Sequence, residues 1–241
     1  MILYGKPVAD ALREQHAERI EENARRTHGK RTLTVIKNET SDKGYLAAIQ
    51  REAERWKVNL MYAEDLKQAA QMQGVRVIDL RRNAARKLHG FYAVDGQSDV
   101  GREKAYVGEM YADAPCTSEA IIRMLDYYNI PIAGKHAVVI GRSERVGKPT
   151  AMLLLARDAT VTVCHSKTDK AKLIEQVGNA DIVVCAAGQK GLLDWTCVPH
   201  GCTVINVGGD YDECDKRLNL IPFKGGVGPV TTAVLMSHVL M

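Results

Sequence analysis

The residues best placed to do chemistry are gathered in one turn, Gly141-Arg142-Ser143-Glu144-Arg145-Val146-Gly147-Lys148-Pro149. Glycine lets the backbone come close to a phosphate, and a helix opening just beyond it offers unpaired N–H groups to negative charge. The spacing is not G-x-G-x-x-G, and an ordinary strand-to-helix turn is the alternative reading. A second group, His165-Ser166-Lys167-Thr168, ends the next apolar run. Sites for NAD usually place an acid there for the ribose hydroxyls, yet none occurs before Asp169. Ser166 can donate to a phosphate, and Lys167 and Arg142 can neutralise it, so NADP is favoured and NAD is the alternative. The bland reading of Lys167 is that it is simply exposed. Small residues close two further runs, Ala186-Ala187-Gly188 and Gly208-Gly209, and would let a ribose lie against the backbone.

Positioning such groups requires strands that deliver them to one edge. The apolar run at 136–140 reads as a buried parallel strand, and 160–164, 181–186 and 204–207 read as the second, third and fourth strands. Helices are expected after the first two, one from Pro149, where the missing N–H costs nothing, and one over 170–177. This βαβαβ pattern is the core of a doubly wound fold, whose ligands sit at the carboxyl ends of the strands. The first half alternates similarly: helices over 7–26, 45–57 and 64–72, and strands over 33–36, 58–62, 75–80 and 88–94. That alternation predicts a parallel sheet covered on both faces. A helix is expected over 118–128, and 93–115 has no clear pattern.

The 241 residues suffice for one large or two modest domains, and 46% hydrophobic with 26% charged residues is ordinary for a globular chain. The net charge of +4 gives no argument for nucleic acid. Arg81, Arg82, Arg86 and Lys87 read as a solvated helix face rather than a binding patch. No apolar run reaches the roughly 20 residues that cross a bilayer, and Met1–Lys6 lacks the form of a signal peptide. None of the six cysteines forms a C-x-x-C pair, so no zinc ribbon is supported and no metal site is expected. A reduced, cytoplasmic protein without a membrane partner is expected.

Several strings together resemble the methylenetetrahydrofolate dehydrogenase/cyclohydrolase family. They are Ile132-Ala133-Gly134-Lys135, Val138 to Ser143 with Val146 to Pro149, Cys164 to Thr168, and Gly225-Gly226-Val227-Gly228-Pro229-Val230-Thr231. Pro115-Cys116-Thr117 and Ile2 to Lys6 with Val8-Ala9 match more briefly. The resemblance implies two α/β domains flanking a cleft, the second a Rossmann-like doubly wound parallel sheet. It implies a folate-type substrate domain at 1–117, completed by 228–241, and an NAD(P)-binding domain at 118–227. Cofactor contacts would come from Gly141, Arg142, Ser143, Val146, Gly147, Pro149, His165, Ser166, Lys167, Ala187, Gly188, Gly208 and Thr231. Gly225, Gly226, Val227, Gly228 and Pro229 would lie by the nicotinamide and the folate. A homodimer is expected, because the family forms dimers.

The departures bear on activity. The family's catalytic helix reads Y-x-x-x-K, and here Tyr45 is followed four residues on by Ile49. The Q-L-P-L-P substrate segment is absent between His89-Gly90-Phe91-Tyr92 and Val94-Asp95-Gly96, where Asp95 matches a substrate-binding aspartate. A second loss falls between Tyr211 and Pro222, and Lys224 stands where a proline is usual. Hydride transfer needs alignment of two carbons and no ionising side chain, whereas hydrolysis of a methenyl bridge needs proton transfer. The expected activity is therefore NADP-dependent oxidation of 5,10-methylenetetrahydrofolate, with cyclohydrolase activity weak or lost. Tyr45 would orient the pterin ring and Asp95 would hold its nitrogens, though one can equally be a core residue and the other a turn residue. The alternatives are a non-catalytic NADP-binding or partner-binding homologue and a dehydrogenase for a smaller substrate.

Overall fold

The computed structural model describes residues 1–28, 30–37, 39, 43–70, 72, 76–79, 92–93, 114–192, 195–210 and 217–241. The chain forms two compact units. One comprises Met1–Ala9 and Thr117–Thr231, the other Asp10–Cys116 and Thr232–Met241. Residues 1–9, grouped with the first domain in the sequence reading, thus cluster with the second. Both units are α/β.

In the unit built around Thr117–Thr231, five parallel strands take the order β6-β5-β7-β8-β9. They are β5 (His136–Ile140), β6 (Thr160–Cys164), β7 (Ile182–Cys185), β8 (Thr203–Asn206) and β9 (Asn219–Ile221). Every residue of β7 and β8 is buried, as expected when helices cover both faces of a parallel sheet. Strands β5 and β6 fall on the expected residues, and β7 and β8 are trimmed or shifted by one. Strand β9 was not foreseen, nor was the short parallel bridge of Ile2 to Leu220 that extends its edge. That bridge is held by Leu3 N–H to the Leu220 carbonyl and Leu220 N–H to the Met1 carbonyl, both 2.8 Å.

The chain leaves β5 to build β6 on one side, then crosses to build β7 on the other. Strand order therefore reverses at β5, and the crevice such a reversal opens lies outside the carboxyl ends of β5 and β7. The helix Gly147–Leu155 packs beside β5 and β6, and Lys170–Gly178 follows β6. The second starts where Asp169 accepts N–H bonds from Ala171 at 2.9 Å and Lys172 at 3.2 Å.

The other unit holds α1 (Gly5–Gln15) from Asp10 on, α2 (Ala17–Arg25), α3 (Lys43–Arg55) and α4 (Leu66–Ala70). Its sheet runs β2-β1-β3-β4, with β1 at Thr32–Ile36, β2 at Asn59–Ala63, β3 at Arg76–Asp79 and β4 at Tyr92–Ala93. The single helix expected over 7–26 is broken at His16. There the imidazole Nδ1 lies 2.9 Å from the Leu12 carbonyl and the ring packs 5.6 Å from that of Trp56. The sheet is also not wholly parallel, since β4 runs antiparallel to β3. The remaining helices, continuing these labels, are α5 (Cys116–Tyr127), α6 (Gly147–Leu155), α7 (Lys170–Gly178) and α8 (Val227–Leu240). Helix α8 is apolar nearly all round and buried over most of its length, and its last residues, from Thr232, cluster with α1–α4.

Candidate functional site

Gly141 closes β5 and turns the chain with φ +127°, a conformation that L side chains rarely adopt. A Cβ here would run into the Ala186 carbonyl oxygen at the end of β7, and a Cβ on Gly147 would run into the Gly141 carbonyl oxygen. The first glycine thus brings the ends of β5 and β7 together at the strand-order reversal. The second seats the start of α6 against the turn. Between them Ser143 organises the loop, its Oγ accepting from Val146 N–H at 3.2 Å and Gly147 N–H at 3.3 Å. The Ser143 hydroxyl proton remains available to a ligand. The N–H groups of Arg142, Ser143 and Glu144 make no hydrogen bond among the described residues. Pro149 is buried in the first turn of α6, and Val146 is half-buried before it.

At the end of β6, His165 N–H donates to Thr168 Oγ1 at 2.9 Å and Thr168 N–H to the His165 carbonyl at 2.8 Å. Lys167 N–H donates to His165 Nδ1 at 3.2 Å. This tight turn leaves Ser166 and Lys167 exposed. Among the described residues the Arg142 guanidinium and the Lys167 ammonium have no acidic partner. Asp169, the nearest acid, caps α7 through Oδ1, which accepts from Ala171 N–H and Lys172 N–H, and stands beyond the His165 to Thr168 turn that follows β6. The donor set is therefore two cations, a serine hydroxyl and open N–H groups, with the one acid of the turn, Glu144, paired to Lys148. It fits a phosphorylated nucleotide, and a 2′-phosphate better than a bare ribose.

Ala187 and Gly188 lie exposed beyond β7, and Gly208 lies half-buried beyond β8. A Cβ on Gly208 would come within 2.7 Å of the Gly188 N, so these two ends are adjacent. The residue joining them is one the sequence reading missed. Asp210 is buried, its Oδ2 accepts from Ala187 N–H at 3.0 Å, and its Oδ1 accepts from Gln189 N–H. Its own N–H donates to Asn206 Oδ1 at 3.0 Å. The only local sign of this was an acid directly after two glycines at a strand end.

The loop before α8 reaches the same edge, with the Phe223 ring 3.6 Å from where a Gly209 Cβ would stand. Gly5 N–H donates to the Gly225 carbonyl at 2.8 Å, tying this loop to the chain's first residues. Gly226 and Val227 are buried, Gly225 and Gly228 exposed and Pro229 half-buried. Thr231 is buried and its hydroxyl donates back to the Val227 carbonyl at 3.1 Å. The three buried cysteines of this unit are held as thiols. Burial pushes the Cys164 thiol up, burial pushes Cys202 up to about 12, and burial with the Asp210 charge pushes Cys185 up further. Among the described residues no cluster of three metal-ligating side chains occurs, and no helix is long and apolar enough to cross a membrane.

Tyr45 belongs to the other unit. It is the third residue of α3 and half-buried, while Ile49, one turn on, is wholly buried. Gln50 points elsewhere and donates to the Tyr62 hydroxyl at 2.9 Å. Asp95, Val94 and Gly96 lie outside the described residues, as do most of 80–113 and all of 211–216.

A parallel sheet with a glycine turn and cationic donors at its reversal point defines a dinucleotide-binding domain of the doubly wound class. Residues 115–241 match the family model "Tetrahydrofolate dehydrogenase/cyclohydrolase, NAD(P)-binding domain". The Bifunctional protein FolD of Thermomicrobium roseum is 38% identical over 275 positions that cover 99% of this chain and 93% of that one. The FolD of Methanoculleus marisnigri is 34% identical, over 99% of this chain and 94% of its own. The chain belongs to the tetrahydrofolate dehydrogenase/cyclohydrolase family. Among solved structures, the Campylobacter jejuni FolD superposes with a TM-score of 0.83 at 26% identity, covering 100% of this chain and 97% of that one. The Trypanosoma brucei FolD, solved with NADP and an inhibitor, gives 0.81 at 25%, covering 100% and 96%. The T. roseum alignment runs over 275 positions and this chain has 241 residues, so at least 34 positions of that relative have no counterpart here.

Proposed function

We propose that this protein oxidises 5,10-methylenetetrahydrofolate to 5,10-methenyltetrahydrofolate with NADP and leaves the methenyl bridge unhydrolysed, or hydrolyses it feebly. One observation carries the division between the two activities: Ile49, in the place of the family's lysine, is wholly buried. Isoleucine has no proton to transfer, and its full burial supports reading the position as part of the apolar core.

NADP bound at the Gly141 turn supplies the hydride acceptor. Arg142, Ser166 and Lys167 hold its 2′-phosphate, and the open N–H groups of the turn, with Ser143, hold the bridging phosphates. Ala187, Gly188 and Gly208 leave room for the nicotinamide end against the backbone. The Gly225 to Pro229 loop and Thr231 close that end, and Tyr45 and Asp95 orient the pterin. The catalytic task is alignment of donor carbon and acceptor ring at about 3–3.5 Å, which binding contacts alone supply. The substrate part is assigned to residues 1–117 with 228–241 and the cofactor part to 118–227, residues 1–9 clustering with the cofactor part, in a cytoplasmic homodimer.

The test is a two-stage assay with methylenetetrahydrofolate and NADP: NADPH formation first, then decay of the methenyl product. The expected result is enzyme-dependent NADPH formation with methenyl decay at the buffer rate. Accelerated decay overturns the loss of cyclohydrolase. The positions lacking a counterpart in this chain favour one second reading, a dehydrogenase for a smaller substrate. It predicts NADP binding without folate binding in separate titrations.

A further inference from the structure

The carboxyl edge of the five-stranded sheet carries exposed cations at the ends of β5 and β6 and a buried carboxylate beyond β7 and β8, with Lys190 and Lys224 exposed on that second side and Glu144 paired with Lys148 on the first. At the ends of β5 and β6 stand Arg142 and Lys167, exposed and without acidic partners among the described residues. At the ends of β7 and β8 stands Asp210, 5% exposed and with no basic partner among the described residues. Its carboxylate is held instead by the N–H groups of Ala187 and Gln189. Those donors are consumed, so the turn at Ala187–Gln189 has neither of them to offer an anion. What it retains is carbonyl oxygens, the single N–H and bare Cα of Gly188 and a nearby buried negative charge. That charge disfavours phosphate and favours a cation.

An oxidised nicotinamide ring is a cation, and accepting a hydride neutralises it. We infer that Asp210 is a positioning residue that reads the redox state of the cofactor: it latches the β7 and β8 ends and favours the oxidised, positively charged ring over the reduced one. The inference rests on the NADP reading above, and its test uses neither folate nor turnover.

The experiment titrates NADP and NADPH separately into the full chain by calorimetry, for the wild type, Asp210→Asn and Asp210→Glu, with a thermal melt for each. Asparagine removes the charge and sets an amide donor against one backbone N–H. The expected result is that Asp210→Asn weakens NADP by about five- to tenfold more than NADPH, shifting the ratio of the two affinities toward the reduced form. Asp210→Glu keeps the charge on a longer arm. It is expected to loosen both ligands alike and hold the ratio. A folded Asp210→Asn protein with the wild-type ratio overturns the inference. If Asp210→Asn shows no cooperative melt, Asp210→Glu decides alone: a held ratio supports the inference and a collapsed ratio overturns it. Wild-type protein that binds neither nucleotide removes the underlying NADP reading, an outcome distinct from an unmoved ratio.

Discussion

In the unit around Thr117–Thr231 the sheet is parallel throughout and its inner strands are buried along their length. In the other unit the sheet ends on a two-residue antiparallel strand, and the outer strand β2 is largely exposed. The difference reaches the chemistry. The candidate cofactor site is made mostly of backbone: a glycine turn, open N–H groups and strand ends brought together by topology. Such a site changes little when side chains drift, provided the glycines remain. The expected contribution of the other unit comes from single side chains, Tyr45, Asp95 and the position of Ile49. One substitution there can delete a proton transfer and leave the fold intact.

The sharpest way to break this comparison is Ile49→Lys. If the position is core, the variant loses roughly 3–5 kcal/mol, seen as a large drop in melting temperature, and gains no methenyl hydrolysis. A lysine accepted at unchanged stability, with hydrolysis restored, would make the site merely unfurnished rather than rebuilt. Next in size is Gly141→Val in the other unit. It meets both a left-handed φ and the Ala186 carbonyl, and is expected to cost about 2–4 kcal/mol and abolish NADP uptake in calorimetry.

Arg142→Ala combined with Ser166→Ala sharpens the comparison without touching the backbone. NADP affinity should fall roughly tenfold to a hundredfold while NAD affinity stays level. An equal fall for both would move the 2′-phosphate away from these residues. The smallest effect is at the opposite edge of the same sheet. There the His136 N–H, and behind it Lys135, hold the Asp181 carboxyl below the usual range. A depressed carboxylate stabilises the fold above its unfolded pKa, and that contribution is lost as pH falls through the folded one. Asp181 is largely exposed, so solvent screening keeps the gain below about 1 kcal/mol. Asp181→Asn should therefore lower stability slightly at neutral pH and converge with the wild type in acid, in denaturant titrations at several pH values.

Legibility follows the same division. Strand β5 was readable because a buried parallel strand is a continuous apolar run with a glycine stop, as in 136–140 before Gly141, and the edge strand β6 because its β-branched residues end at a polar stop. Strand β9 was not, because three residues carry no periodicity, and the Ile2 bridge was not, because its partner Leu220 lies about two hundred positions away in the chain. The break at His16 was hidden because it depends on Trp56, a contact between elements. Asp210 escaped for a similar reason: its partners are backbone groups of another strand end, which leave no mark on residue type. Asp169 could be seen as an acid near the ribose position, but only the structure shows that its Oδ1 caps α7.

The most direct measurement is calorimetric titration of the full chain with NADP and, in parallel, NAD. The account predicts saturable uptake of NADP at one site per chain and weaker uptake of NAD. Absence of both, or NAD bound more tightly than NADP, would contradict it.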